Sequence, residues 1–361
     1  MKRVLVAMSG GVDSSVAAVL LQEAGYECVG ATMRLVDQPT ATPVGHTCCS
    51  LNDVEDARAV AYALGMEYHV FDFSHEFDEK VIQKFVNYYE KGWTPNPCID
   101  CNRYLKFDHL LHHAEALGCD YVATGHYARV AQTSDGRYIL KRGIDATKDQ
   151  SYALYSFTQE VLAKTLLPIG EWEKSRVREI AEAHGLVNAR KHDSQDICFV
   201  PDGDYVAFLE RYEGKTFARG ELVDTEGKVL GTHRGAVGYT IGQRRGLGIA
   251  ASEPIYVVDK DMETNRVIVG PNDALRHQAL LAAEWNWIVP PFDAPGEVTV
   301  KIRYNAKDQP AMLDPAGDGT PGTVAIRFEE PQRAIAPGQA AVAYRGDVVV
   351  GGGTIVRVLQ S

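Results

Sequence analysis

Apolar and polar positions in the first third of the chain switch repeatedly between two periods. Val4-Leu5-Val6-Ala7-Met8 is a short apolar run, which predicts a buried strand over residues 4–8. The following apolar positions keep a helical spacing up to Gly25 and predict a helix over residues 14–24. The pattern then repeats: strand 27–35, helix 53–64 before Gly65, strand 68–73, helix 76–90 before Gly92, helix 108–117 before Gly118, and strand 121–124. Strands separated by helices of this length imply right-handed crossovers and a parallel sheet. Ligands of such sheets bind at the carboxyl ends of the strands.

Beyond this region the pattern changes twice. Ser134-Asp135-Gly136 reads as a hairpin turn, and residues 172–184 as a helix. From about residue 203 short β-favouring runs alternate with glycine-rich turns, predicting strands over residues 221–224, 237–241, 255–258 and 267–269. Pro271-Asn272-Asp273 is a boundary signal. After it, Val298, Val300, Ile302 and Tyr304 alternate with Glu297, Thr299, Lys301 and Arg303, a strand with one apolar face. Short runs at 325–328, 341–344, 347–350 and 354–358 complete what reads as a small β-barrel. The expected domains are therefore residues 1–202, 203–272 and 273–361.

Length and composition narrow the class. A chain of 361 residues is long for a single core, in keeping with two or three domains. Hydrophobic content of 45% and charged content of 24% suit a soluble globular protein. No apolar run approaches a membrane span, and Met1-Lys2-Arg3 leads directly into a strand, so a cytoplasmic protein without a membrane anchor is expected. The seven cysteines, Cys28, Cys48, Cys49, Cys98, Cys101, Cys119 and Cys198, are then expected as thiols rather than structural disulfides. A net charge of −11 excludes a uniformly basic nucleic-acid surface, but basic residues gather locally at Lys141-Arg142, Arg176 and Arg178, Arg234, Arg244-Arg245 and Lys301 to Arg303.

Between the first strand and helix lies Ala7-Met8-Ser9-Gly10-Gly11-Val12-Asp13-Ser14. A strand, a glycine loop and a helix turn backbone N–H groups toward an anion at the helix N-terminus. Ser14 or Ser15 is expected to cap that helix. The loop lacks the Gly-Lys-Ser/Thr of a Walker P-loop and carries a carboxylate, Asp13, instead. It resembles the SGGxDS pyrophosphate loop of enzymes that split ATP between the α- and β-phosphates.

Three further stretches carry candidate chemistry. Thr94-Pro95-Asn96-Pro97-Cys98-Ile99-Asp100-Cys101-Asn102 places a Cys-x-x-Cys in what reads as a proline-stiffened loop between helices. A zinc half-site, a redox pair, a catalytic thiolate and a buried inert pair all remain open, the thiolate being favoured because this spacing can bring a cysteine into reactive range. Lys191-His192-Asp193-Ser194-Gln195-Asp196-Ile197-Cys198-Phe199 sets a lone cysteine among polar neighbours, as suits a reactive thiol on a loop, though Ile197 and Phe199 suit packing equally. Thr124-Gly125-His126-Tyr127 ends the fourth strand on the ligand edge of the sheet, and Lys148-Asp149-Gln150-Ser151-Tyr152 is a polar turn or a contact surface.

Taken together, these motifs resemble one family, the tRNA-specific uridine 2-sulfurtransferases or tRNA 2-thiouridylases. Further matching text is Cys48-Cys49-Ser50, Asp53-Val54-Glu55-Asp56-Ala57 and Gly238-Tyr239-Thr240-Ile241-Gly242-Gln243-Arg244-Arg245-Gly246, and the match runs in order to about residue 355. The resemblance implies an α/β pyrophosphatase-type (PP-loop) N-terminal domain with a parallel sheet, a small central domain and a C-terminal β-barrel. It implies that Ala7, Met8, Ser9, Gly10, Gly11, Val12, Asp13 and Ser14 hold ATP phosphates with Asp13 near Mg2+, and that Met33 and Gly125 contact adenosine. It implies adenylation of the uridine oxygen at carbon 2, sulfur carried as a persulfide on Cys198, and Cys101 as the nucleophile that releases it through a transient disulfide. Asn96, Pro97 and Cys98 would lie beside a flipped base. His126, Lys148, Asp149, Gln150, Arg303, Tyr304 and Gln339 would touch tRNA. The partners implied are lysine, glutamate and glutamine tRNAs and a sulfur-donor protein, with the chain acting as a monomer.

One position departs from the family pattern: many members carry Asp where this chain has Cys98. Three thiols, Cys98, Cys101 and Cys198, can in principle hold an iron–sulfur cluster with one open iron, and a cluster-borne sulfide is the alternative to the persulfide. A PP-loop ligase acting on a small metabolite shares the adenylation but needs no paired cysteines. A non-catalytic RNA-binding protein would need no ATP loop at all.

Overall fold

A computed structural model of the chain describes residues 1–36, 51–191 and 197–359. The chain divides into two compact units. The first comprises Met1–Ile82, Pro97–Gly203 and Gly346–Val350; the second comprises Gln83–Asn96, Asp204–Arg345 and Gly351–Ser361.

The first unit is built on a parallel sheet. Strand β1 (Arg3–Ala7) runs through the glycine loop into helix α1 (Val12–Glu23). Strand β2 (Glu27–Arg34), helix α2 (Leu51–Ala63), strand β3 (Glu67–Asp72), strand β4 (Tyr121–Ala123), the hairpin β5 (Ala128–Gln132) and β6 (Tyr138–Arg142), and the short strand β7 (Thr165–Leu166) follow. The sheet order is β3-β2-β1-β4-β7, parallel throughout. The chain therefore winds outward from β1 in both directions, and the gap between the carboxyl ends of β1 and β4 is the topological switch point where a ligand crevice opens. Val4 and Val6 of β1 share one core with Val16, Ala17 and Val19 of α1 and with Val177 and Ala181 of helix Lys174–Ala183. Each fully buried valine contributes roughly 1.5–3 kcal/mol, so α1 is held by its packing, which fixes the loop at its start.

The first unit corrects the sequence reading at two places. The Cys-x-x-Cys is not in a loop: helix Pro97–Asp100 passes directly into a π-helical segment, Cys101–His109, and then into helix Leu110–Ala116. Pro97 is the first residue of this run, where its missing N–H costs nothing, so a proline that reads as a breaker is in fact a helix start. The helix expected over residues 76–90 is similarly interrupted by a π-helical segment, Asp78–Ile82.

In the second unit, helix Tyr205–Glu213 precedes strands β8 (Gly220–Val223), β9 (Val229–His233), β10 (Tyr256–Asp261) and β11 (Arg266–Gly270). These form a four-stranded sheet in the order β10-β11-β8-β9 over a core of Leu222, Leu247, Val257, Val267 and Val269. The strand expected over residues 237–241 is absent. A 3-10 turn, Ala236–Gly238, takes its place, because Gly235 at φ 121° and Gly242 at φ 87° turn the chain out of extended geometry on either side. Strands β12 (Arg276–Trp287), β13 (Gly296–Lys301), β14 (Gln309–Asp314), β15 (Val324–Arg333), β16 (Ala340–Arg345) and β17 (Val348–Leu359) form a closed six-stranded barrel in the order β12-β15-β14-β13-β16-β17, with β17 pairing back onto β12. Closure removes exposed strand edges. Among the described residues, no helix is long and apolar enough to cross a membrane.

Candidate active site

The glycine loop is held by its own backbone and by its neighbours. Met8 N–H donates to the Ala31 carbonyl (2.7 Å), and Thr32 Oγ1 donates to the Met8 carbonyl (2.6 Å). The cap of α1 is not a serine as expected. Gly11 occupies that position in extended geometry, while Ser14 and Ser15 direct their hydroxyls back to the Gly11 carbonyl at 3.1 and 3.0 Å. Ser14 Oγ also accepts from the Ser9 N–H at 3.2 Å. The first-turn amides of α1 have no partner within the helix, as at every helix start, and Gly11 at the cap position has no side chain to offer them.

Two glycines set the approach of the walls. Gly10 has φ 71°, and a Cβ there would lie 2.2 Å from the Asp53 carbonyl oxygen. At Gly125, just past β4, a Cβ would lie 2.6 Å from both the Asp13 carbonyl carbon and the Ser14 nitrogen. The chain after β4 therefore meets the first turn of α1 backbone to backbone, and the glycine loop meets α2 in the same way, so a side chain at either glycine would clash.

Two lysines close the loop on either side. Lys174 Nζ lies 2.7 and 2.8 Å from the two carboxylate oxygens of Asp13, and Tyr127 Oη donates to Asp13 Oδ1 at 2.8 Å. Lys191 Nζ lies 2.6 Å from Asp53, 2.5 Å from Asp56 and 3.2 Å from the Gly10 carbonyl. Burial opposes the Lys191 charge, but the hydrogen bonds to Asp53 and Asp56 outweigh it and raise its pKa. Asn188 Nδ2 donates to the Gly10 carbonyl (3.0 Å) and to Ser15 Oγ (2.9 Å), while its buried Oδ1 has no hydrogen-bond partner among the described residues. Lys174 and Asn188 are absent from the sequence reading, and their local sequences give no sign of this role. Asp53, Asp56, Tyr127 and Lys191 lie inside motifs already singled out.

The residues after β4 are well ordered by hydrogen bonds. His126 is buried, with Nδ1 2.6 Å from Thr124 Oγ1 and its ring against Phe107. Burial, with Lys106 adding to it, pushes its pKa well below the usual value. Asp149 is buried and accepts from the N–H groups of Gly143 and Ser151, both at 3.1 Å. Gln150 grips Tyr127 in both directions, its Oε1 accepting at 3.0 Å and its N–H donating at 2.8 Å. Lys148 is half-buried and Met33 is buried.

The His126 environment leads to a pH prediction. The folded state keeps the ring neutral, whereas the unfolded chain takes up a proton below about pH 6.5. Stability is therefore retained above that value and falls as the pH drops below it, by about 1.4 kcal/mol per pH unit for this one group. Urea denaturation at pH 7 and pH 5 should show a shallower acid loss in His126→Gln than in the parent chain. Equal slopes in the two proteins would refute the assignment.

The cysteines sort by environment. Cys28 and Cys119 are buried; burial pushes the Cys28 thiol up to about 11 and raises that of Cys119 as well, so both are poor nucleophiles. Cys98 is exposed on the first turn of its helix, and Cys101 is buried where the π-helical segment begins. Cys198 is half-exposed, while the adjoining Phe199 is buried against the Phe77 ring at 5.6 Å between centres. The apolar neighbour therefore serves packing and leaves the thiol outside the core. Cys48 and Cys49 lie outside the described residues, as do residues 192–196. Among the described residues, no three His, Cys, Asp or Glu side chains are placed to hold a single metal ion.

In the second unit, Gln339 Nε2 donates to the carbonyls of Thr94 (3.0 Å) and Pro95 (3.3 Å), and Thr94 N–H donates to the Pro337 carbonyl (2.8 Å). Gly338, at φ 89°, lets Thr94 approach to where a Cβ would meet its N and O at 2.9 Å. Gln339 is thus bonded to the segment leading into Asn96, although 243 residues separate them in sequence (339 − 96). Arg303 Nη2 donates to the carbonyls of Arg333 and Ala334 at 2.6 and 3.1 Å, and Tyr304 is exposed with Lys301 near its ring.

Comparison with known proteins gives the family. Residues 2–202 match the family described as tRNA methyl transferase HUP domain, 206–271 the tRNA methyl transferase PRC-barrel domain, and 277–355 the aminomethyltransferase beta-barrel domain. A tRNA-specific 2-thiouridylase MnmA of Heliobacterium modesticaldum is 53% identical over 360 residues, covering 99% of this chain and 93% of the relative. Proteins of the same name from Carboxydothermus hydrogenoformans and Moorella thermoacetica are each 52% identical, covering 99% of this chain and 98% and 100% of their own lengths. Matching these relatives from end to end at about half identity, the chain belongs to the tRNA-specific 2-thiouridylase MnmA family.

Proposed function

We propose that this protein catalyses ATP-dependent 2-thiolation of the wobble uridine in tRNA, the acceptors being lysine, glutamate and glutamine tRNAs. The observation that carries the reading is the glycine loop at the start of α1, whose N-cap is Gly11 with no side-chain cap, in the unit that also bears Cys101 and Cys198. The loop from Ala7 to Ser14 holds the ATP phosphates with backbone N–H groups. Met33 and Gly125 border the adenosine. The uridine oxygen at carbon 2 attacks the α-phosphate and pyrophosphate leaves, which converts a poor leaving oxygen into AMP. Cys198 carries sulfur as a persulfide received from a donor protein, and the terminal sulfur replaces AMP at carbon 2. Cys101 attacks the Cys198 persulfide, so that the sulfur departs and a Cys101–Cys198 disulfide remains, which a dithiol reductant returns to two thiols.

Asp13 suits a Mg2+ site, since its carboxylate stands at the loop's mouth and this ion commonly uses one or two carboxylates plus substrate phosphates. When bound, the ion neutralises charge on the phosphates. A sulfide-bearing iron–sulfur cluster on Cys98, Cys101 and Cys198 is the alternative sulfur source, and no step is routed through one. Asn96, Pro97 and Cys98 are assigned to the target base, and His126, Lys148, Asp149, Gln150, Arg303, Tyr304 and Gln339 to the tRNA. Buried His126 and Asp149 act on it by shaping the backbone beside them.

The test is thiolation of tRNA from a thiolation-deficient strain with ATP and a persulfide donor, followed by mass spectrometry of the nucleosides. ATP-dependent 2-thiouridine is expected. ATP turnover without modified tRNA would favour a ligase acting on a small metabolite instead.

A further inference from the structure

Asp13 is engaged by a cation of the protein's own. Lys174 Nζ spans both carboxylate oxygens at 2.7 and 2.8 Å, and its side chain is only 10% exposed against 29% for Asp13. The stem is anchored at its base: Lys174 is the first residue of helix Lys174–Ala183, and its N–H donates to Asp145 Oδ2 at 3.0 Å. Tyr127 adds a second donor to Asp13, and the ammonium lies 5.7 Å from the Tyr127 ring centre. A divalent ion cannot join this carboxylate without meeting a like charge at hydrogen-bonding distance in a partly buried site, where repulsion is stronger than in water.

We propose that Lys174 is a placeholder cation: it occupies Asp13 in the nucleotide-free protein, yields the carboxylate to a divalent ion that arrives with ATP, and transfers its ammonium to a nucleotide phosphate. The proposal rests on the ATP reading above for its last step only. Exchange of one cation for another keeps the half-buried Asp13 compensated before and after binding, and the phosphate compensates the displaced lysine. It also couples metal to nucleotide, because the ion alone must compete with a tethered ammonium whereas the ion with ATP offers that ammonium a new partner. No bond is made or broken.

The deciding measurement is Mn2+ binding to the nucleotide-free protein, followed by electron paramagnetic resonance, together with calorimetric titration of ATP in saturating Mg2+. Lys174→Met keeps the length and apolar stem of the side chain and removes the charge. It should bind Mn2+ at least about tenfold more tightly than the parent and bind ATP about tenfold more weakly. Lys174→Arg should return both values toward the parent, and Lys174→Met combined with Asp13→Asn should lose the Mn2+ gain. Unchanged or weaker Mn2+ binding in a Lys174→Met protein with native circular dichroism would overturn the exchange. Tighter Mn2+ binding with unchanged ATP affinity would overturn the transfer to phosphate. Failure of the parent chain to bind ATP at all would strike the functional reading, while the Mn2+ comparison still decides the exchange at Asp13.

Discussion

Replacing Cys198 by serine is expected to lower tRNA thiolation by at least about a thousandfold while ATP–pyrophosphate exchange in the presence of tRNA stays within about twofold. A serine hydroxyl cannot carry a persulfide, so sulfur transfer loses its carrier, whereas the adenylation step uses the glycine loop and leaves the thiol untouched. The half-exposure of Cys198 supports this division, since Phe199 takes the packing role and serine at the neighbouring position leaves no cavity. Cys101→Ser should behave similarly, with mass spectrometry of the protein showing a persulfide that accumulates on Cys198 and is not released. Cys98→Asp then separates the two sulfur schemes. It installs the residue common in the family, and under the persulfide scheme activity survives within a few-fold. Its loss together with bound iron and sulfide in anaerobically purified protein would revive the cluster and end the persulfide account.

The second large effect is structural. Gly10→Ala should lower the unfolding free energy by about 3 kcal/mol and weaken ATP binding by about a hundredfold. Two causes add: the left-handed φ of 71° costs an alanine about 1 kcal/mol, and the new Cβ meets the Asp53 carbonyl at 2.2 Å, so the backbone at the start of α2 must move. That movement also disturbs the Gly10 carbonyl, which Asn188 and Lys191 both grip. Gly25→Ala supplies the comparison. Its φ is 84°, but nothing lies within 4 Å of its Cβ, so only the conformational cost of about 1 kcal/mol remains. Chemical denaturation of the two variants separates strain from clash. Similar losses in both would show that the loop yields freely and that the backbone approach at Gly10 is not a constraint.

The parallel sheet, its loop and the small barrel were legible in the sequence because each depends on local periodicity. Apolar runs of five residues before a glycine loop, and helical spacing after it, report burial on two different elements without knowledge of their neighbours. Misreadings came where a local signal has two meanings. Pro95 and Pro97 read as loop residues, yet Pro97 is the first residue of a helix that carries Cys98 and passes into the π-helical segment beginning at Cys101. The β-favouring run around Val237 reads as a strand, yet flanking glycines with positive φ turn it. The twelve-residue strand β12 escaped notice because Ala279-Leu280-Leu281-Ala282-Ala283 is a continuous apolar run without strand alternation, and the helix Tyr205–Glu213 was missed although Asp204 caps its start and left-handed Gly214 ends it.

By itself, the sequence determined the candidate groups: a glycine loop with Asp13, a Cys-x-x-Cys ending at Cys101, and a lone Cys198 in a polar stretch. Tertiary structure alone decided what surrounds them. Lys174 reaches Asp13 across 161 positions, Lys191 reaches Asp53 across 138, and Gln339 reaches Thr94 across 245. Such pairs leave no periodic trace, because a lysine on a helix start looks the same whether it faces water or a carboxylate. The physical reason lies in the doubly wound sheet, which draws the carboxyl ends of β1 and β4 together and brings distant helices over them. Local patterning marks the candidate groups, and only the winding of the chain brings counter-charges such as Lys174 to Asp13.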